Sequence, residues 1–590
     1  MEARLSTLEG NMEKINQSLQ DVLHRVCNMG PTTDGLPEQA APGTSSYRVS
    51  DETRAGMETL QWQQPTSIPD LPDFSSATAM GPSAPSPPFG VQRLNTMENG
   101  LPSEEIMRDL VALFFDMVHP WLPLFHQSTF VEKMFLPERD VLLHAILVIS
   151  FRFWQKPIPS PEVRESYVKG SRDHLLLKTI DTCSLVSTQA LALMALDAIG
   201  QGTGPKTWNT MSMLVCAAKH LGLQDRDKST PPYRDTTTAL VRNEDSNDEI
   251  TMSSVEAEER SRLFWVIYNL DRFSSVSHGQ PGGIISKYIR VPYPTNEAEF
   301  SPVTAQEWFH YIPSVNPQHS HCLNRLWHSN IDLLALMDRS NQLLIQPVNL
   351  SIPAHCQEWK ASFRRLDMTL SAWFQRLPRE DREPPAIFDP MWVMVHATFH
   401  LIRTRLFTVA AFPSTTSPYL RPSATARGSC RQTISDISSL AASLKPHELD
   451  HLGPMFAFVI WVASRSLLIL WTTGYEKSYE SVPAELETFI ATLRSLAVRW
   501  PCAQRYSDII QLVLDNKNNA GGAPILDIFN DTRRTAYGLQ DRLGPMSSHL
   551  FTEYLPPSFD FLDVSGLNVD TIDGPWNVGD FPCELNDEWL

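Results

Sequence analysis

Cysteine is scarce and scattered in this chain. There are eight in 590 residues, and the closest two, Cys183 and Cys216, stand 33 positions apart. No CxxC pair exists, which excludes a local zinc knuckle or clustered metal centre. Dispersed thiols fit a reducing compartment. No signal peptide is expected, because the first 25 residues are polar and charged. Basic charge is also short: Lys and Arg total 49 against 67 for Asp and Glu, a formal net charge of −18. A chain that coats nucleic acid along its whole length needs the opposite balance.

Long apolar runs are missing too. Val141–Ser150 is too short for a bilayer, and Met455–Trp471 is interrupted by Ser464-Arg465-Ser466, so a buried helix is expected there. The GxSxG elbow, the P-loop and GxGxxG are absent. An HExxH zinc-protease motif is not expected either. His319-Ser320-His321-Cys322 reads as a plain polar loop rather than a metal site. His396 and His400, one helical turn apart, read as core histidines because Trp392, Val393, Val395, Phe399 and Leu401 surround them. No catalytic and no metal-ligating residue is assigned, and an enzyme is not expected, with a helical small-molecule-binding protein or enzyme as the alternative reading.

Of the patterns present, the N-terminal one is clearest. Leu5, Leu8, Met12, Ile15, Leu19, Val22 and Val26 are spaced alternately three and four apart, an a/d heptad seam. With Leu5 at position a, Arg4 falls at g and Glu9 at the following e, a favourable interchain pair. Such a seam buries itself against another helix, which predicts a coiled coil over 1–27 that makes a homodimer or heterodimer. The alternative is an amphipathic helix packed on its own domain. Residues 31–102 hold 11 prolines and little periodic apolar pattern, so 28–102 reads as a disordered linker.

The remainder to about residue 540 reads as all-α. Ser103-Glu104-Glu105 opens a helix with an Ile106, Leu110, Leu113, Phe114, Met117 stripe, stopped by His119-Pro120. Gln189–Ile199 and a helix carrying Trp208, Met211, Val215 and Ala218 form a hairpin closed at Gly222. Asp245 to Glu259 reads as an acidic loop leading into a helix at Arg260–Phe273, with Glu258 and Arg262 in favourable i,i+4 order. Gly279, Pro281, Gly282 and Gly283 break the chain after it. Further helices are expected at about 322–346, 357–377, 390–411, 430–444, 453–473, 483–499 and 503–515.

The tail differs again. Residues 543–590 contain no Lys or Arg and nine acidic residues, interleaved with Phe551, Tyr554, Phe559, Phe561, Trp576, Phe581 and Trp589. Acids keep such a segment solvated, and aromatics give it something to bury in a partner's groove, as in an acidic activation domain. The alternative is a tail whose aromatics pack back on the core.

Three ordered blocks resemble the regulatory middle homology region of fungal zinc-cluster transcription factors, the family that includes xylanolytic activators. They are Phe114–Phe130 (FFDMVHPWLPLFHQSTF), Gln189–Leu223 with its closing Leu221-Gly222-Leu223, and Glu256–Gly283 (EAEERSRLFWVIYNLDRFSSVSHGQPGG). The motif positions are His119, Pro120, Trp208, Gly222, Arg262, Trp265, Asp271, Arg272, Gly279 and Pro281. Phe264 and Ser261 depart mildly from the usual pattern. The resemblance implies a helical regulatory domain over 103–345, with 346–540 as the C-terminal part of the same region. It further implies a nuclear transcriptional regulator, a small-molecule inducer and transcription machinery met through the tail, with no membrane. The family's six-cysteine cluster has no counterpart among these cysteines. Zinc and DNA contact would therefore come from an N-terminal cluster outside this chain or, for DNA, through a partner. By residue chemistry alone, Arg260, Arg262, Asp271 and Arg272 read as an ion network at the rim of a buried helix, and Trp208 and Trp265 as core.

Overall fold

The computed structural model describes residues 100–156, 160–202, 204–225, 254–295, 319–413, 418–472 and 482–518. The heptad seam, the Pro-rich stretch and the acidic tail lie outside the described residues. Among those described, the regular structure is helical and no strand occurs.

The N-terminal helices are α1 (Glu104–Met117), α2 (Gln127–Lys133), α3 (Asp140–Ser150), α4 (Pro161–Asp181), α5 (Leu185–Gln201), α6 (Pro205–His220) and α7 (Ser254–His278). Helix α5 is the hub: it packs on α3, α4, α6 and α7. Its sequence explains that position, since nearly every residue from Ser187 to Ala198 is apolar or small and is buried. Ser184 and Ser187 close its N-terminus as a reciprocal capping box. Helix α6 ends at Gly222 (φ +62°), where Gly222 N–H donates to Lys219 O and Leu223 N–H to Ala218 O. This pattern needs the left-handed residue that glycine supplies.

The C-terminal helices are α8 (His319–Ile345), α9 (Pro353–Arg376), α10 (Pro390–Ala411), α11 (Ala424–Ser443), α12 (Pro454–Thr472), α13 (Ala484–Ala497) and α14 (Pro501–Asn518). Helix α10 packs on α8, α11 and α12, and α12 packs on α13 and α14. Helix α12 is long and apolar enough to cross a membrane by length and composition, yet 94% of it is buried inside the protein. Its serines are satisfied internally: Ser464 donates to Ile460 O, and Ser466 accepts from Thr408. The two groups meet at α7–α8 and where α14 returns to α5, among other contacts.

Several boundaries differ from the expectation. In α1 the buried face is Met107, Leu110, Val111, Phe114 and Phe115, rotated one residue from the expected stripe. Helix α7 begins six residues before Arg260, so Glu256, Glu258 and Glu259 are helical rather than part of a loop. His319 to Cys322 open α8 instead of lying in a loop. Helix α11 starts at Ala424 behind a Ser423 cap, where a loop was expected to residue 429. Helix α4 has no counterpart in the sequence reading, because it buries only Ser171, Leu175 and Thr179 and so lacks a periodic apolar stripe.

The α14–α5 closure hinges on one glycine. A Cβ on Gly200 would stand 2.7 Å from Cζ3 of the fully buried Trp500 and 3.2 Å from Arg152 Nη1. Gly428, in α11, faces open space. Gly200→Ala is expected to cost about 1–3 kcal/mol by overpacking, whereas Gly428→Ala should be neutral or stabilising by up to about 1 kcal/mol. Urea unfolding of the two variants checks this, and equal midpoints would contradict it.

Candidate functional site

The central feature is helix α7 and the strap that follows it. Gly279 (φ +66°) reverses the chain, with Gln280 N–H donating to Ser275 O. Residues 280–295 then run back along α7. Asp271 accepts from the N–H groups of Gly283 (2.9 Å) and Ile284 (3.1 Å). Tyr268 OH pairs with Ser286 Oγ at 2.9 Å. Trp265 Nε1 and Ser261 Oγ both donate to Pro292 O, at 2.8 and 2.9 Å. Glu258 accepts from Thr295 N–H at 2.9 Å. Each contact steps about one turn back along the helix, as an antiparallel strap requires.

Of the charges read as a rim network, Arg262, Asp271 and Arg272 sit inside, whereas Arg260 is half-buried and donates to Leu221 O. Arg262 is 0% and Arg272 1% exposed. Arg262 Nε donates to Glu258 at 2.8 Å, and its guanidinium lies over Trp327. Arg272 pairs with Asp271 at 2.6 Å, with Asp338 of α8, and with Ile284 O of the strap, and stacks over Tyr268. Gly282 is a close-approach position, because a Cβ there would collide with the Arg272 guanidinium. Ser286 reinforces the junction by donating to Asp338 at 2.5 Å. The block Asp271-Arg272, Gly279, Pro281, Gly282 is thus a device that ties α7, the strap and α8 together.

A second arrangement is a cleft of about 460 Å³ bordered by α3, α4, α5 and the start of α14. Its lining holds Arg152, Lys156, Arg164, Arg172 and Arg499 against Asp197 and Glu165. Arg152 and Arg172 both grip Asp197, at 2.6 and 2.9 Å. Burial alone would push the Asp197 carboxyl up, but the two arginines outweigh it and hold the group below its ordinary range. Arg499 makes a two-pronged contact with Asp450, and Lys156 reaches Asp109. Arg164 donates to Phe151 O and has no carboxylate within ion-pair distance among the described residues. Burial, then repulsion from Arg499, lowers the Arg164 pKa. Two guanidiniums that repel across a cleft can bind a small carboxylate or phosphate, whose oxygens match their forked donors.

The remaining sequence-predicted positions fall as follows. His119 is buried and its Nε2 lies 3.1 Å from Phe125 O, bracing the loop after α1, with Pro120 half-buried beside it. Gly222 caps α6, and Pro281 is exposed in the strap turn. Trp265 is buried, whereas Trp208 is 36% exposed and rests edge-on against His278, so it is not a core residue. Leu5, Leu8, Met12, Ile15, Leu19, Val22 and Val26, and Phe559, Phe561, Trp576, Phe581 and Trp589, lie outside the described residues.

His396 and His400 behave as structural groups. His396 Nε2 meets Asp381 O at 2.8 Å, and burial, then His396 and Arg403, push His400 down to about 3. The string His447-Glu448-Leu449-Asp450-His451 does spell HExxH, contrary to the sequence reading. It forms only a single turn, Pro446–Leu449, in which Glu448 accepts from Lys445 N–H as a cap. His451 Nδ1 lies 3.0 Å from His447 O, so the pair braces a turn instead of presenting two ligands on a helix face. Sequence reasoning also missed Arg152, Asp197 and Arg499, which are brought together from distant parts of the chain.

Comparison with known proteins agrees with this architecture. Residues 111–375, from α1 to the last turn of α9, match the fungal specific transcription factor domain. The chain is 24% identical over 305 residues to the Zn(2)-C6 fungal-type transcription factor FTF1a of Fusarium oxysporum, covering 49% of this chain and 26% of that protein. It is 26% identical over 248 residues to a transcription factor of Emericella nidulans, covering 40% and 36%. It is 24% identical over 196 residues to an ABC-transporter-regulating transcription factor of Aspergillus fumigatus, covering 31% and 19%. The chain thus matches about a quarter of the length of its Fusarium relative. No solved structure matches it.

If the Arg272 junction carries the fold, its loss must far exceed that of a surface pair. Asp338→Ala leaves a buried guanidinium short of a partner and is expected to cost about 3–5 kcal/mol. Arg379→Ala breaks the exposed Arg379–Glu383 pair and should cost under about 1 kcal/mol. Urea denaturation of both variants checks the contrast, and similar losses would contradict it.

Proposed function

We propose that this chain, whose residues 111–375 carry a fungal specific transcription factor domain, is a nuclear transcriptional regulator of RNA polymerase II genes in a fungus. The observation that carries the reading is the coincidence of that match with the strapped α7 and its buried ion network. The motif residues Arg262, Trp265, Asp271 and Arg272 do architectural work there. The helical domain is the regulatory part.

The heptad residues Leu5 to Val26 pair two subunits, and the aromatic-acidic segment 543–590 recruits transcription machinery. DNA contact comes from a zinc-cluster segment outside these 590 residues or from a partner held by the heptads. The arginine-lined cleft supports control by a small anionic effector, which would shift the domain between two populations with different tail availability. Such a shift requires the effector to bind one state more tightly than the other.

The test is a reporter assay. Residues 543–590 fused to a heterologous DNA-binding domain should activate transcription. Replacing Phe559, Phe561, Trp576, Phe581 and Trp589 by Ala should remove most of that activity. A silent fusion of segment 543–590 that is stably expressed would contradict the assigned tail role.

A further inference from the structure

We propose that α3 and α4 hold a divalent first-row transition-metal ion of the zinc(II) type, ligated by Asp140, His144 and His174. This lies beyond the regulatory reading and does not depend on it.

Asp140 and His144 are four residues apart in α3, so their side chains share one face. Helix α4 packs beside α3 and brings His174 to the same place. His174 Nε2 stands 3.3 Å from Asp140 Oδ2, and His144 Nε2 stands 3.7 Å from the same oxygen. One ligand atom from each of the three residues lies within 4.8 Å of the other two. A tetrahedral zinc ion with bonds near 2.0–2.1 Å spaces its ligand atoms about 3.3–3.4 Å apart. The two separations from Asp140 are therefore close to edges of such a tetrahedron, and the remaining pair lies within 4.8 Å.

The histidines are also arranged for it. Neither Nε2 makes a hydrogen bond, although His144 is only 2% exposed. Buried polar nitrogens rarely go unpartnered without a reason. Ser171 Oγ lies 2.9 Å from His144 Nδ1, so a proton on Nδ1 can be donated to the serine and Nε2 keeps its lone pair. That is the outer-shell arrangement that orients metal-binding imidazoles. The two rings stack with centroids 4.1 Å apart, so binding one ion requires the partly exposed His174 ring to turn out of the stack. Asp140 and His174 are 27% and 29% exposed at their side chains, which leaves a route for the ion and a fourth position for water. Two imidazoles and one carboxylate suit zinc or cobalt, whereas calcium and magnesium take all-oxygen sets.

The position gives the ion a structural task. Helix α4 forms a wall of the arginine-lined cleft but buries only Ser171, Leu175 and Thr179. Arg172 fastens it to α5 through Asp197, and the ion fastens it to α3 two residues further on.

The test uses the full chain, stripped with a chelator and dialysed. Co²⁺ should produce visible d–d bands without the thiolate charge-transfer band of a cysteine site, and Zn²⁺ should bleach them. Zn²⁺ should raise Tm by several degrees. His174→Ala and Asp140→Asn, both at partly exposed positions, should keep the helical circular dichroism, bind one fewer equivalent of Zn²⁺ and lose that part of the Tm shift. Cobalt bands of unchanged intensity in both variants, or a Zn²⁺ stoichiometry equal to wild type, would overturn the proposal. So would the absence of d–d bands in the wild-type chain.

Discussion

A guanidinium buried without its counter-charges is among the costliest things a protein core can contain. Arg272 is such a group, and the way its needs are met organises the molecule. Asp271 comes from its own helix, Asp338 from α8 and a carbonyl from the strap, so three segments must converge before the charge is neutralised. Gly282 is needed because no side chain fits against the guanidinium. The same seam continues outward. Asn341 of α8 donates to Gln280 O of the strap and accepts from Arg405 of α10, whose pKa burial pushes down to about 10. The junction of the N-terminal and C-terminal helices is therefore polar and specific rather than a generic apolar contact.

The second junction follows similar logic with an aromatic anchor. Trp500 fills the space that Gly200 leaves, donates to Leu452 O and stacks beneath Arg152 at 4.0 Å. Arg152 in turn neutralises Asp197 together with Arg172. A segment well beyond the matched domain thus completes the surface of α5, and Arg499 and Pro501 close one side of the arginine-lined cleft. The cleft is thereby joined to the C-terminal helices through packed elements.

Much of the fold was legible because its strongest signals are local. The α5–α6 hairpin, the Gly222 cap and the apolar face of α7 follow from helical periodicity and glycine placement. Helix α4 was not legible, since its stability comes from Arg172, Ser171 and His174 meeting groups on other helices rather than from a stripe. The network at Arg262 and Arg272 was legible as charges on a helix, but not as buried charges, because Asp338 and the strap carbonyls are remote in sequence. Trp208 illustrates the opposite error: a large aromatic in an apolar helix that faces outward onto His278. The cleft is assembled from residues 148 to 501 and left no local trace. The Asp140, His144 and His174 group left only the Asp140–His144 spacing.

The central claim is that the domain matched over 111–375 and the helices beyond it form one body, locked at Arg272 and at Trp500. Hydrogen exchange of the full chain, followed by mass spectrometry across a urea series, tests it most directly. The account predicts that peptides from α5, α7, α8 and α14 lose protection at one common urea concentration. Loss of protection in α14 well before α5 and α7, with the latter still closed, would contradict it.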